Sequence, residues 1–178
     1  ANCENGVAVT KFKTLPSKMN NVQFMGTFGE VYEYSPWVAE RAWEFGITKE
    51  HDTVEGLATL MARIVKEAEQ PLKLELIAAH PDLAGKAAIK GKLTAASNSE
   101  QSGAGLDECS REEFAVFEKY NAAYKSKFGF PFIMAVKNSN RHDILAGFER
   151  RLQNSIEQEF ETALAEIDKI AFFRLAGI

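Results

Sequence analysis

Asp52-Thr-Val-Glu-Gly-Leu-Ala-Thr-Leu-Met-Ala-Arg-Ile-Val-Lys-Glu-Ala68 is the stretch from which the fold class follows. Val54, Leu57, Met61, Ile64, Val65 and Ala68 recur three and four residues apart, so one side of a helix is apolar and must be buried against something. Asp52 and Glu55 have the spacing of a capping box, in which side chains at both positions satisfy backbone N–H groups of the first turn.

Working outward, the same period recurs on both sides. Upstream, Val22, Phe24, Met25, Phe28, Val31 and Tyr32 predict one amphipathic helix. Ser35 before Pro36 predicts the start of another, carrying Trp37, Val38, Ala42 and Phe45. Downstream, Gln70-Pro71 opens a short helix through Ala79 that must stop near His80, because Pro81 disfavours helical geometry in the residue before it. Residues 81–93 read as an exposed connection, and a further helix begins near Thr94 or Ser97 and fades by Gly103 to Gly105.

Ser110 and Glu113 form a capping box ahead of Phe114, Phe117, Tyr120, Asn121 and Tyr124, with Gly129 as the stop. Phe130 to Val136 is an apolar run too short for a buried helix and reads as extended or irregular backbone. Asn140 with Asp143 and Ser155 with Gln158 cap the last two helices. Strand signals are nearly absent. The expectation is an all-α, single-domain helical bundle over residues 16–178, preceded by a tail, residues 1–15, that packs weakly.

Composition narrows the function classes. The chain has 178 residues, 46% hydrophobic and 26% charged, values of a folded domain rather than a disordered one. Its formal charge of −4 lacks the basic excess that phosphate binding needs, so nucleic acid is not expected as a partner. Cys3 and Cys109 make neither a disulfide framework nor a metal quartet. No run approaches the roughly 20 apolar residues of a membrane span, and the N-terminus lacks a signal-peptide pattern. A cytoplasmic protein is expected, or a peroxisomal one if the source is eukaryotic and a targeting signal has been trimmed, since the chain opens on Ala1 rather than Met.

No nucleophile elbow, zinc-type His pair or Rossmann glycine pattern is present, and Gly85 to Lys92 has the wrong spacing for a phosphate loop. His51 and His142 sit in polar surroundings and read as solvated surface residues. His80 differs. It ends an apolar helix, is fixed by Pro81 and is followed by Asp82; either it caps the last turn through its carbonyls or it does chemistry.

Ser97 and Glu100 have capping-box spacing, while adjacent Glu100 and Gln101 offer a charged acceptor and an amide to a ligand rich in donors and acceptors, such as a ureido compound. Arg174 falls within the apolar sector of the last helix; it either snorkels to solvent or reaches a pocket to hold an oxygen. The Phe130 to Val136 run is either plain core or a backbone that brackets a ring.

His80-Pro81-Asp82-Leu83-Ala84-Gly85-Lys86, Ser97, Glu100-Gln101, Ala104-Gly105-Leu106, Asn121, Tyr124 and Phe128-Gly129-Phe130-Pro131-Phe132 together resemble the OHCU decarboxylase (2-oxo-4-hydroxy-4-carboxy-5-ureidoimidazoline decarboxylase) family. Ile144-Leu145, Arg151-Leu152, Ile170-Ala171 and Arg174-Leu175 extend the likeness to the C-terminus, so that it covers roughly residues 20 to 178. The resemblance implies an all-helical, typically homodimeric carboxy-lyase that converts OHCU to (S)-allantoin in urate degradation, the ureide branch of purine metabolism, without metal or organic cofactor.

It also implies His80 and Glu100 as catalytic residues, with Pro81, Ser97, Gln101, Arg174 and the stretch Phe132, Ile133, Met134, Ala135 and Val136 binding the small-molecule substrate. The competing expectation is a non-catalytic helical module that binds a ureido-type ligand or a protein partner.

Overall fold

The stripe of the opening stretch is buried as its period requires: Leu57, Met61 and Val65 are all inaccessible on α3 of a computed structural model that describes residues 9–85 and 93–178. The described residues form eight α-helices: α1 (Asn21–Phe28), α2 (Trp37–Phe45), α3 (Val54–Glu67), α4 (Gln70–Ala78), α5 (Ala95–Gly103), α6 (Arg111–Phe128), α7 (Arg141–Arg151) and α8 (Ile156–Ala176). Their one β pairing is an isolated bridge between Lys11 and Thr53. The fold is all-α, as expected. The helices group into two compact units, one holding residues up to Glu69 together with Ala171–Ile178, the other Gln70–Ile170.

In the first unit, α1 to α3 pack around Phe24 and Phe28, whose rings lie 4.9 Å apart. Fully burying such side chains stabilises by about 1.5–3 kcal/mol each. Phe12 joins them edge-on to Phe28 at 5.2 Å, and the amide of Phe12 donates to the Asp52 carbonyl at 3.0 Å. The C-terminal part of the expected tail is therefore fastened to the core, while residues 1–8, including Cys3, lie outside the described residues.

Several local expectations are corrected here. Val31 and Tyr32 are buried but lie beyond the end of α1, which is capped by an Asn20–Gln23 box; Val22 falls on its outer side and is exposed. Pro36, not Ser35, occupies the N-cap of α2, and the Ser35 hydroxyl donates to the Glu33 carbonyl instead. At α3 the cap is Thr53, whose hydroxyl accepts from the Gly56 amide at 3.0 Å. A side chain at Gly56 would lie 1.9 Å from the Glu50 carbonyl oxygen, so glycine is obligatory there.

Asp52, expected as the cap, accepts from the Ser17 amide at 2.8 Å and the Ser17 hydroxyl at 2.7 Å. Burial pushes the Asp52 pKa up, but these two bonds, with Lys11 and Lys18 nearby, outweigh it and hold the carboxyl below its ordinary value. His51 is buried rather than solvated, its Nδ1 accepting from the Thr48 amide at 2.9 Å. His142 is exposed, as expected.

In the second unit the expected capping boxes at Ser110–Glu113 and Asn140–Asp143 are both formed. Ser155 and Gln158 exchange the same pair of bonds ahead of α8. Gly129 ends α6 at φ +79°, a left-handed turn that glycine adopts without strain. Phe117, Asn121, Tyr124 and Phe128 form the buried edge of α6. The Phe130–Val136 run carries neither helix nor strand, and its Phe132 ring stacks on Phe148 at 3.8 Å.

Candidate active site

Pro81 removes a helix-forming conformation from His80, and α4 stops at Ala78. The His80 amide reaches back to the Ile77 carbonyl at 3.2 Å, and its Nδ1 lies 2.8 Å from the Leu76 carbonyl oxygen. A carbonyl only accepts, so Nδ1 carries the proton, and in the neutral ring Nε2 holds the lone pair. The capping reading of His80 is realised through Nδ1, and that bond fixes the orientation of the ring.

His80, 7% exposed, lines a cleft of about 360 Å³. Ala78, Pro81 and Asp82 from the His80 segment line this cleft together with Lys125, Gly129, Phe130 and Pro131 from the end of α6 and the run after it. The FGFP block at the end of α6 thereby meets the HPD block at the end of α4, two sequence motifs about 50 residues apart.

Three polar side chains fasten the His80 loop. Gln101 on α5 accepts from the Ala84 amide at 3.0 Å and donates to the Asp82 carbonyl at 3.2 Å. Asn121 on α6 donates to the Leu83 carbonyl at 2.9 Å, and its Oδ1 meets no donor among the described residues. One turn further along α6, Lys125 Nζ pairs with Asp82 Oδ2 at 2.6 Å. These bonds hold a turn whose Ala84 sits at φ +51°, a conformation that a residue with a side chain adopts only under constraint.

Gln101, expected to bind substrate, has both ends of its amide engaged by this loop. Asp82, expected beside His80, gives its carboxylate to Lys125.

Ser97 and Glu100 do not cap α5. That role belongs to Thr94, whose hydroxyl accepts from the Ser97 amide at 3.2 Å. Ser97 and Gln101 are one turn apart on a buried face, and Glu100 beside them is half-buried.

The Phe132 to Val136 stretch is not on the wall of the cleft. Phe132 is wedged between Phe148 and the guanidinium of Arg151, which lies 4.3 Å from its ring. The Ile133 carbonyl accepts from Arg151 Nη1 at 2.6 Å. Arg151 pairs through Nε with the wholly buried Glu159 at 2.8 Å, and Glu159 also accepts from Tyr124 at 2.6 Å and from Asn154 at 3.0 Å. Burial, then the bond to Glu159 and its charge, push the Tyr124 phenol far above its ordinary pKa.

Arg174 belongs to the first unit, where its buried guanidinium pairs with Glu33 at 2.7 Å and donates to the Val31 carbonyl at 3.3 Å. It neither frays nor snorkels.

Sequence reasoning missed Lys125 and Glu33, and it named Asn121 and Arg151 without their roles. For Asn121 and Lys125 a signal existed: they are polar residues four apart flanking the aromatic edge of α6.

The comparisons with known proteins agree with this architecture. The sequence profile of the OHCU decarboxylase family matches residues 17–176. A protein of Haloferax volcanii named 2-oxo-4-hydroxy-4-carboxy-5-ureidoimidazoline decarboxylase is 42% identical over 160 residues, 90% of this chain and 91% of that one. The crystal structure of an (S)-allantoin synthase superposes with a TM-score of 0.70 at 32% identity, covering 90% of this chain; the chain spans about half (51%) of that protein. An OHCU decarboxylase crystallised in the presence of (S)-allantoin shares the fold, with a TM-score of 0.65 at 23% identity over 89% of this chain and 97% of that one. The chain belongs to the OHCU decarboxylase family.

Proposed function

We propose that this chain decarboxylates 2-oxo-4-hydroxy-4-carboxy-5-ureidoimidazoline to (S)-allantoin, with the His80 cleft as the reacting site. The observation that carries the reading is the setting of His80: its Nδ1–H is held by the Leu76 carbonyl, and the residue lines a cleft sized for a small molecule. Such a ring offers Nε2 as an acceptor to the substrate hydroxyl.

The chemistry asks for little more than placement. As carbon dioxide leaves, the electron pair of the broken bond enters the substrate's own unsaturated ring, whose imine nitrogen takes a proton. The enol so formed loses its hydroxyl proton and receives one on the adjacent ring carbon, from a single face, to give one enantiomer. An external electron sink is not required, and no metal or organic cofactor enters the proposal; orientation and charge placement supply the rate.

His80 engages the hydroxyl as acid-base residue. Glu100 and Ser97 on α5 address the ureido and ring groups. Pro81 shapes the wall next to His80, with Phe130 and Pro131 as its apolar lining. Gln101 contributes by holding the loop. The domain comprises residues 16–178 and works as a homodimer in the cytoplasm, which sedimentation and cell fractionation test.

No helix among the described residues is long and apolar enough to cross a membrane.

Chiral analysis of allantoin formed from freshly generated OHCU tests the function, since spontaneous decay yields the racemate. The wild-type chain is expected to give the (S) form alone, and His80→Asn is expected to lower turnover by about 10²–10⁴-fold. Racemic product from the wild-type chain refutes the reaction, and near-normal turnover by His80→Asn refutes the assignment of His80.

A further inference from the structure

We propose that Lys125 is a positioning residue for the reaction, acting through the Asp82 carboxylate to hold the His80-Pro81-Asp82 turn against α6. The inference rests on the reading of His80 as the reacting side chain and adds a residue to that site.

The argument is geometric. Lys125 Nζ meets Asp82 Oδ2 at 2.6 Å, and both residues line the cleft that His80 lines. Asp82 is two residues from His80, with only the rigid Pro81 between them, so the position of the Asp82 side chain constrains the imidazole more directly than any contact further along the loop. The segment is neither helix nor strand and turns through a left-handed Ala84, with its backbone and the Asp82 carboxylate bonded to α5 and α6.

Gln101 and Asn121 grip backbone atoms of Asp82, Leu83 and Ala84, whereas Lys125 grips a side chain, the Asp82 carboxylate. Lys125 and Asp82 are 47% and 25% exposed, and a pair so open to water adds little to global stability. Its value lies in where it holds the turn.

The test compares Lys125→Met, Asp82→Asn, the double variant and Lys125→Arg in the full chain. Wild-type (S)-allantoin formation is measured first, so that failure of the functional reading is seen separately. Lys125→Met and Asp82→Asn are each expected to lower kcat about tenfold with KM within twofold of wild type and little change in Tm. The double variant should be no worse than either single one, because both break the same link. Lys125→Arg should restore most of the rate.

A readout independent of turnover is the histidine ring correlation spectrum, with His80 assigned by its loss in His80→Asn. The bonded Nδ1–H signal of His80 should broaden or shift in Lys125→Met and return in Lys125→Arg. A rise in KM confined to Lys125→Met would make Lys125 a substrate anchor and overturn the proposal. So would additive losses in the double variant, or an unchanged kcat and an unchanged His80 signal in Lys125→Met.

Discussion

Two irregular segments of the second unit, residues 80–84 and 130–136, are both tied down from α6 and its neighbours, and they are tied in opposite ways. The 80–84 turn hangs from two amides and a partly exposed ion pair. The 130–136 run is bolted to the interior by Arg151, which donates to Ile133 and is itself held by the inaccessible Glu159. The two anchor sets are interleaved on one helix: Asn121 and Lys125 serve the turn, and Tyr124 serves the buried network.

A buried charge must be paired to exist at all, so the Arg151–Glu159 network resists any motion that would separate it. An amide clamp at a cleft can loosen at low cost. The comparison assigns firm anchoring to one segment and looser attachment to the other, and both halves of that assignment can be broken.

The largest effect is expected from Glu159→Gln. It leaves the Arg151 guanidinium buried without its counter-charge, and breaking such a pair costs about 3–5 kcal/mol. Denaturant unfolding should show that loss, and any surviving folded protein should retain a His80 site close to wild type. If stability is unchanged, the network is not the bolt described here.

Next is Tyr124→Phe, which removes a hydrogen bond to a carboxylate worth about 1.5–3 kcal/mol. It also carries a pH signature. The folded phenol titrates above its ordinary value of 10.0, so the folded state holds this proton more tightly than the unfolded chain does. That contribution is fully present below pH 10 and is lost as pH rises from the unfolded value toward the folded one. Tm measured upward from neutral pH should therefore fall more steeply above pH 10 in the wild type than in Tyr124→Phe, where the phenol is gone.

The contrast also explains what was legible in the sequence. Helices announce themselves through local spacing, so α3, α6 and the caps at Ser110, Asn140 and Ser155 follow from residues three or four apart. The cap expected at Asp52 passes to the next residue, Thr53, because the Asp52 carboxylate is taken by Ser17, and of the two starts offered for α5 it is Thr94 rather than Ser97 that takes the cap. His80 stood out because its constraint, Pro81, is its neighbour.

Lys125, Glu33 and the Arg151–Glu159 pair have partners 43, 141 and 8 residues away, respectively. No local pattern marks such pairings; even the shortest of them joins two different helices. Gln101 was identified by its amide and expected to bind the ligand; the same amide is bonded to the loop, 17 and 19 residues away, which no local pattern marks.

That distinction gives the last prediction. If Gln101 holds the loop, Gln101→Met should detach the turn rather than unfold the unit, because the penalty for unpairing the Ala84 amide and the Asp82 carbonyl is capped by the cost of letting the turn open to water. The expected outcome is a stability loss of about 1 kcal/mol alongside a roughly tenfold fall in kcat. Hydrogen exchange separates this from direct substrate binding: the Ala84 amide should exchange faster in Gln101→Met without substrate present, while amides of 132–136 keep their wild-type rates. A Gln101 that served only the ligand would raise KM and leave Ala84 protected. The variant thus asks whether the weakly fastened segment can be released without disturbing the bolted one, which is what the difference between their anchors requires.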